Sequence, residues 1–124
     1  MGLSGEVIQC VPDEQAAFHS GGDFYTALAN EYYMENGVRK HNDWTLGIET
    51  CHIDANGNYT QETYTTMVRL TADLLEEYNL DVETGLLRHY DFTYKDCPKL
   101  FEGENNQAWD TFKSDVRKAM WRWK

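Results

Sequence analysis

The firmest periodicity in the chain runs from Thr60 to Tyr78, where Tyr64, Met67, Val68, Thr71, Ala72, Leu75 and Tyr78 recur at three- and four-residue intervals. That rhythm predicts a long helix with one buried face, capped by Asn58 or Thr60 and ended at Asn79. A second stripe, Trp109, Phe112, Val116, Ala119, Met120 and Trp123, predicts a C-terminal helix after the break at Gly103 to Asn106. Arg117, Lys118, Arg122 and Lys124 near its end suit the negative pole of the helix dipole. A shorter helix is predicted from Phe24 to Glu35 on Phe24, Ala27, Leu28 and Tyr32, with Asp23 as N-cap and Asn36-Gly37 as the stop.

Elsewhere the pattern changes to a period of two. Trp44 to Cys51 alternates, with Leu46, Ile48 and Thr50 on one side and Gly47, Glu49 and Cys51 on the other. Glu6 to Val11 reads as a strand entered through Ser4-Gly5 and ended by Pro12-Asp13, in the manner of a hairpin's second arm. Leu86 and Leu87 read as the end of a short buried strand. Asp54 to Asn58 is a turn, and Val38 to Asp43 a polar, basic loop, more simply a solvated connector than a flap over a cleft. Strands alternating with helices predict an α/β domain: a mixed β-sheet flanked by helices.

Length and charge narrow the function without identifying it. The 124 residues form one domain, 1–124, long enough to bury a core without disulfides. Three cysteines, Cys10, Cys51 and Cys97, cannot all pair. A net charge of −10 argues against nucleic acid and anionic membrane surfaces as partners. No apolar run reaches the length of a membrane span, and none reads as a signal peptide.

Candidate chemistry gathers where the Leu86-Leu87 segment leaves the core. His89 and Cys97 carry an imidazole and a thiol, which zinc accepts together, although two such residues at this spacing are also chance neighbours. Lys95 precedes Cys97 by two residues and, in an extended stretch, projects to the same side. A cation there lowers a thiol pKa or stabilises an oxyanion. Glu49 is a carboxylate inside a strand-like stretch, either ion-paired for structure or part of a site. His19, ahead of Ser20-Gly21-Gly22, is either a site residue or a loop cap.

Five ordered segments resemble the zinc-dependent N-acetylmuramoyl-L-alanine amidases, the family of phage endolysins, bacterial autolysins and peptidoglycan recognition proteins. They are Gly5-Glu6-Val7-Ile8-Gln9-Cys10-Val11-Pro12, Ala17-Phe18-His19-Ser20-Gly21, Leu46-Gly47-Ile48-Glu49-Thr50-Cys51, Asn56-Gly57-Asn58-Tyr59 with the long helix after it, and Arg88-His89-Tyr90-Asp91 with Lys95-Asp96-Cys97-Pro98. The resemblance implies that His89 and Cys97 are zinc ligands, Glu49 the general base or water-positioning residue, and Lys95 the oxyanion stabiliser. His19 becomes a cleft residue in contact with substrate. The implied reaction is hydrolysis of the amide between N-acetylmuramic acid and L-alanine in peptidoglycan, at the bacterial cell wall, as a phage or prophage lysin.

One departure qualifies this. The family's third zinc ligand, a histidine on an early strand, has no counterpart here, which implies an N-terminally truncated form of the fold. His19, His41, His52, Cys10 and Cys51 are the spare soft ligands, and Cys51, on the Glu49 side of its strand, is the nearest stand-in. A missing strand would leave an exposed sheet edge open to self-association. The alternative function is a non-catalytic peptidoglycan-binding domain with an incomplete metal site.

Overall fold

The two strongest apolar stripes become the two longest helices. In the computed structural model, which describes residues 1–35 and 41–121, α1 spans Ala27–Glu35, α2 Gln61–Glu77, α3 Val82–Gly85, α4 His89–Thr93 and α5 Gln107–Trp121. Single 3-10 turns occupy His41–Asp43 and Lys99–Phe101. Thr60 caps α2, its hydroxyl accepting from Thr63 N at 3.1 Å, and Asn79 beyond the end takes the left-handed conformation at φ 52°. Asn106 opens α5 by accepting from Trp109 N at 2.8 Å, while its amide holds the carbonyls of Leu100 and Glu102. The expected stop at Asn36-Gly37, the loop residues Val38 to Lys40, and Arg122, Trp123 and Lys124 lie outside the described residues.

The apolar stripe of α2 meets that of α5 over Phe101. Met67, Ala72, Leu75, Val82, Phe101, Trp109, Phe112 and Val116 form the core, with Phe101 and Val116 almost wholly enclosed. Phe101 stacks on Phe112 at 5.2 Å between centroids and tilts against Trp109 at 5.4 Å, so one ring of a 3-10 turn anchors two rings of α5. A second, smaller cluster joins α1, α4 and the 41–43 turn, with Ala29, His41 and Phe92 buried and His41 stacked on Phe92 at 4.4 Å. α1 starts three residues later than expected. Thr26, not Asp23, caps it, accepting from Ala29 N at 3.2 Å and donating to Asp91 O at 2.6 Å.

The predicted mixed sheet is absent: among the described residues there is no strand, and the fold is helical. Glu6 to Val11 is irregular and open to solvent, with Ile8 75% exposed. Leu46 and Ile48, expected to share one face of a strand, are also exposed. Leu86 and Leu87 form a short link between α3 and α4. The reason is the lack of a neighbour to satisfy the backbone. Trp44 to Cys51 finds one sheet-like rung, in which Met1 donates to Glu49 O at 2.8 Å and accepts from Cys51 N at 3.0 Å. Gly47 then runs against a side chain instead of a backbone, since a Cβ there would lie 2.5 Å from the His19 ring. Without a sheet there is no sheet edge, so association through one has no structural basis.

The start of the chain is itself tied to α2. Thr60 Oγ1 donates to Leu3 O at 2.7 Å and Thr63 Oγ1 to Gly2 O at 2.8 Å, which fixes Met1 beside Glu49.

Phe101→Ala should therefore lower stability by about 3–5 kcal/mol in guanidinium unfolding, because it empties the site on which both α5 rings rest. Thr60→Ala should cost about 1 kcal/mol for the cap. An unchanged midpoint for Phe101→Ala would contradict this core.

Candidate functional site

A cleft of about 940 Å³ opens along one side of α2, lined on its other side by Asn42 to Thr50 and by residues of α4 and the loop that follows it. Its apolar floor includes Met67, Leu74 and Leu75; its polar wall includes His19, Glu49, His89, Lys95 and Cys97. All five residues singled out in the sequence thus face one space. Cys51, the suggested stand-in ligand, is exposed and does not line it. His41, a spare ligand on paper, is enclosed in the small cluster with its Nε2 donating to Ser20 O at 2.8 Å. The loop expected to be a solvated connector therefore has a buried second half, His41 and Asn42.

The α4 segment is held by Arg88, whose side chain is only 9% exposed. Its backbone N–H and guanidinium both donate to the Asp91 carboxylate, which caps the start of α4 from within the helix. The Nη1 atom donates to Phe101 O at 2.6 Å and Gly103 O at 2.9 Å, and the guanidinium lies over the Tyr90 and Trp109 rings at 4.9 and 5.3 Å. A five-residue helix cannot nucleate alone. Arg88 ties it to the main core, and the next residue, His89, projects into the cleft. Its Nε2 lies 2.7 Å from Gly21 O. A carbonyl only accepts, so Nε2 carries the proton and Nδ1 keeps the lone pair.

Tyr94 closes α4 in the left-handed conformation, and the chain returns so that Cys97 O accepts from Tyr90 N at 3.0 Å. That turn brings Cys97 back beside the first turn of α4. Burial pushes the Cys97 thiol up; the Lys95 ammonium pulls it down and the Glu49 carboxylate pushes it up. Amine and acid both act on the thiol. Tyr59, absent from the sequence-derived candidates, joins them: its hydroxyl is 3.0 Å from Thr50 Oγ1, and burial raises its pKa, with a smaller contribution from Cys97. Only its place before the long helix hinted at it. Arg88 carried a clearer signal, since Arg88 and Asp91 stand at the spacing of a helix cap.

His89 and Cys97 suit zinc in kind, and an imidazole whose other nitrogen donates to a carbonyl is the usual form of a metal-bound histidine. They fall short in number. Among the described residues no three His, Cys, Asp or Glu side chains converge on one point, whereas a catalytic zinc takes three protein ligands.

Residues 1–100 match the sequence model of the family described as N-acetylmuramoyl-L-alanine amidase. A probable N-acetylmuramoyl-L-alanine amidase of Bacillus licheniformis is 31% identical over 93 residues, covering 75% of this chain and 24% of that protein. The N-acetylmuramoyl-L-alanine amidase BlyA of Bacillus subtilis strain 168 is 26% identical, covering 93% of this chain and 31% of its own length. The amidase CwlL of Bacillus licheniformis is 27% identical over 90% of this chain and 28% of itself. The chain spans between a quarter and a third of the length of these relatives. No solved structure matches at a significant level.

Because only the thiolate reacts, the raised Cys97 thiol should alkylate several-fold more slowly than the exposed Cys10 and Cys51 in metal-free protein, and the gap should close as pH rises. Peptide mapping after a brief iodoacetamide pulse measures it. Equal labelling at all three would contradict the buried setting of Cys97.

Proposed function

The chain belongs to the N-acetylmuramoyl-L-alanine amidase family, and from that membership we propose that it hydrolyses the amide bond joining N-acetylmuramic acid to L-alanine in peptidoglycan. The observation that carries this reading is that Glu49, His89, Lys95 and Cys97 line one cleft of a size suited to a ligand.

Each residue has a role that its chemistry allows. Glu49, an exposed carboxylate on the polar wall, takes the proton of the attacking water and later returns it to the leaving amine. Lys95, exposed on the same wall, donates to the oxygen that becomes negative as the carbonyl turns tetrahedral. The amide carbon gains the water oxygen, the carbon–nitrogen bond breaks, and the products are a lactyl carboxylate and a free L-alanine amine. His19 lines the cleft as a substrate contact, with its Nε2 donating to Thr45 O at 3.1 Å. His89 and Cys97 would hold a zinc ion. When bound, zinc supplies Lewis acidity and lowers the pKa of a coordinated water to about 7.

The site of action follows from the substrate: the bacterial wall, as expected of a phage or prophage lysin. No helix among the described residues is long and apolar enough to cross a membrane.

A second reading has one observation in its favour. Two donors without a third among the described residues suit a module that binds peptidoglycan and has lost turnover.

Incubation with purified cell wall should release new L-alanine amino termini. Glu49→Gln and Lys95→Met should each lower kcat about a hundredfold with little change in binding to the wall. Zinc content per chain should fall in His89→Ala and Cys97→Ala. Sedimentation with the wall but no new termini would transfer the case to the binding module, and neither would remove both.

A further inference from the structure

The loop that faces His89 is organised by a residue outside the cleft's reactive group. Asn42 is 7% exposed, and its side-chain oxygen accepts from Ser20 N at 3.0 Å, Ser20 Oγ at 2.8 Å and, more distantly, His19 N at 3.4 Å. Two of those donors are backbone N–H groups, so the atom facing them is the amide oxygen and not the nitrogen. Ser20 is itself 3% exposed, and no water can replace Asn42 without the loop moving. The next residue along supplies the carbonyl that receives His89 Nε2 at 2.7 Å. Gly22, one further, sits so close to Thr93 that a Cβ would meet its side chain at 2.9 Å. The loop is therefore wedged between Asn42 on one side and α4 on the other.

We infer that Asn42 is a positioning residue for His89: by holding His19 and Ser20 it aims the carbonyl of the following residue, Gly21, at Nε2 and leaves Nδ1 as the nitrogen free to bind a ligand. His41 reinforces the same loop through Ser20 O, and Thr45 Oγ1 fastens the turn by donating to His41 O at 2.8 Å. The functional consequence rests on the proposed amidase reading, whereas the ring geometry does not.

The test is imidazole ¹⁵N NMR on metal-free protein at a pH where the ring is neutral, with His89 assigned against His89→Gln. Wild type should give the shifts of a fixed Nε2–H tautomer. Asn42→Ala should move both ring nitrogens toward the averaged values of a mobile imidazole. Asn42→Asp, which keeps an oxygen in place, should restore the wild-type shifts. If Asn42→Ala does not fold, Ser20→Ala withdraws one of the donors alone and should give a smaller displacement of the same sign. Unchanged His89 shifts in the folded Asn42→Ala protein, or in Ser20→Ala where that stands in, would overturn the inference. Should wild type take up no zinc, the amidase reading suffers, yet the ring shifts still decide the role of Asn42.

Discussion

The guanidinium of Arg88 is the contact on which the arrangement depends. Two apolar clusters make up the described structure, one of α2 and α5 over Phe101, the other of α1 and α4 around His41 and Phe92. Arg88 belongs to the second by sequence, through Asp91 and the start of α4. It belongs to the first by contact, through the carbonyls of Phe101 and Gly103 and the face of Trp109. Its charge is matched by Asp91, and its remaining protons reach carbonyls with no helical partner. That is the condition under which a nearly buried cation is tolerated. Lysine has neither the planar fork nor the five donors needed for these contacts.

The two long helices were legible because their signal is self-contained, whereas the short α3 and α4 were not foreseen. The stripe from Tyr64 to Leu75 names its own buried face, and Thr60 and Asn79 mark its ends with side chains that act locally. Strand segments carry no such closure. Leu46, Ile48 and Thr50 alternate as a strand should, yet alternation fixes only which side chains share a face and says nothing of what satisfies the backbone. Here the rung from Met1 is the one sheet-like pairing among the described residues, and the segment's apolar side chains Leu46 and Ile48 stay exposed.

The candidate site was legible in its reactive groups and illegible in its supports. Glu49, Lys95, His89 and Cys97 announce themselves by residue type. Asn42 does not: between His41 and Asp43, in a polar run, it reads as exposed. Its burial follows from a stacking of His41 on Phe92 across 51 positions of sequence, and no local pattern encodes that. Tyr59 was hidden for a related reason, because its hydroxyl matters only once Thr50 has been brought alongside.

The two halves of the polar wall differ in how firmly they are built. His89 and Cys97 stand on a segment fixed by a helix cap, a part-buried ion pair and a backbone bond across the turn. Glu49 stands on a largely exposed segment fixed next to it by the Met1 rung and a side-chain bond from Thr50 to Tyr59. Groups on packed elements keep their geometry better than groups on loops. The acid is therefore the member of the constellation whose distance to the others varies most easily. Its placement relies on the hydroxyls of Thr60 and Thr63 holding the chain start on α2, which makes the cap of the longest helix also an indirect support of the cleft.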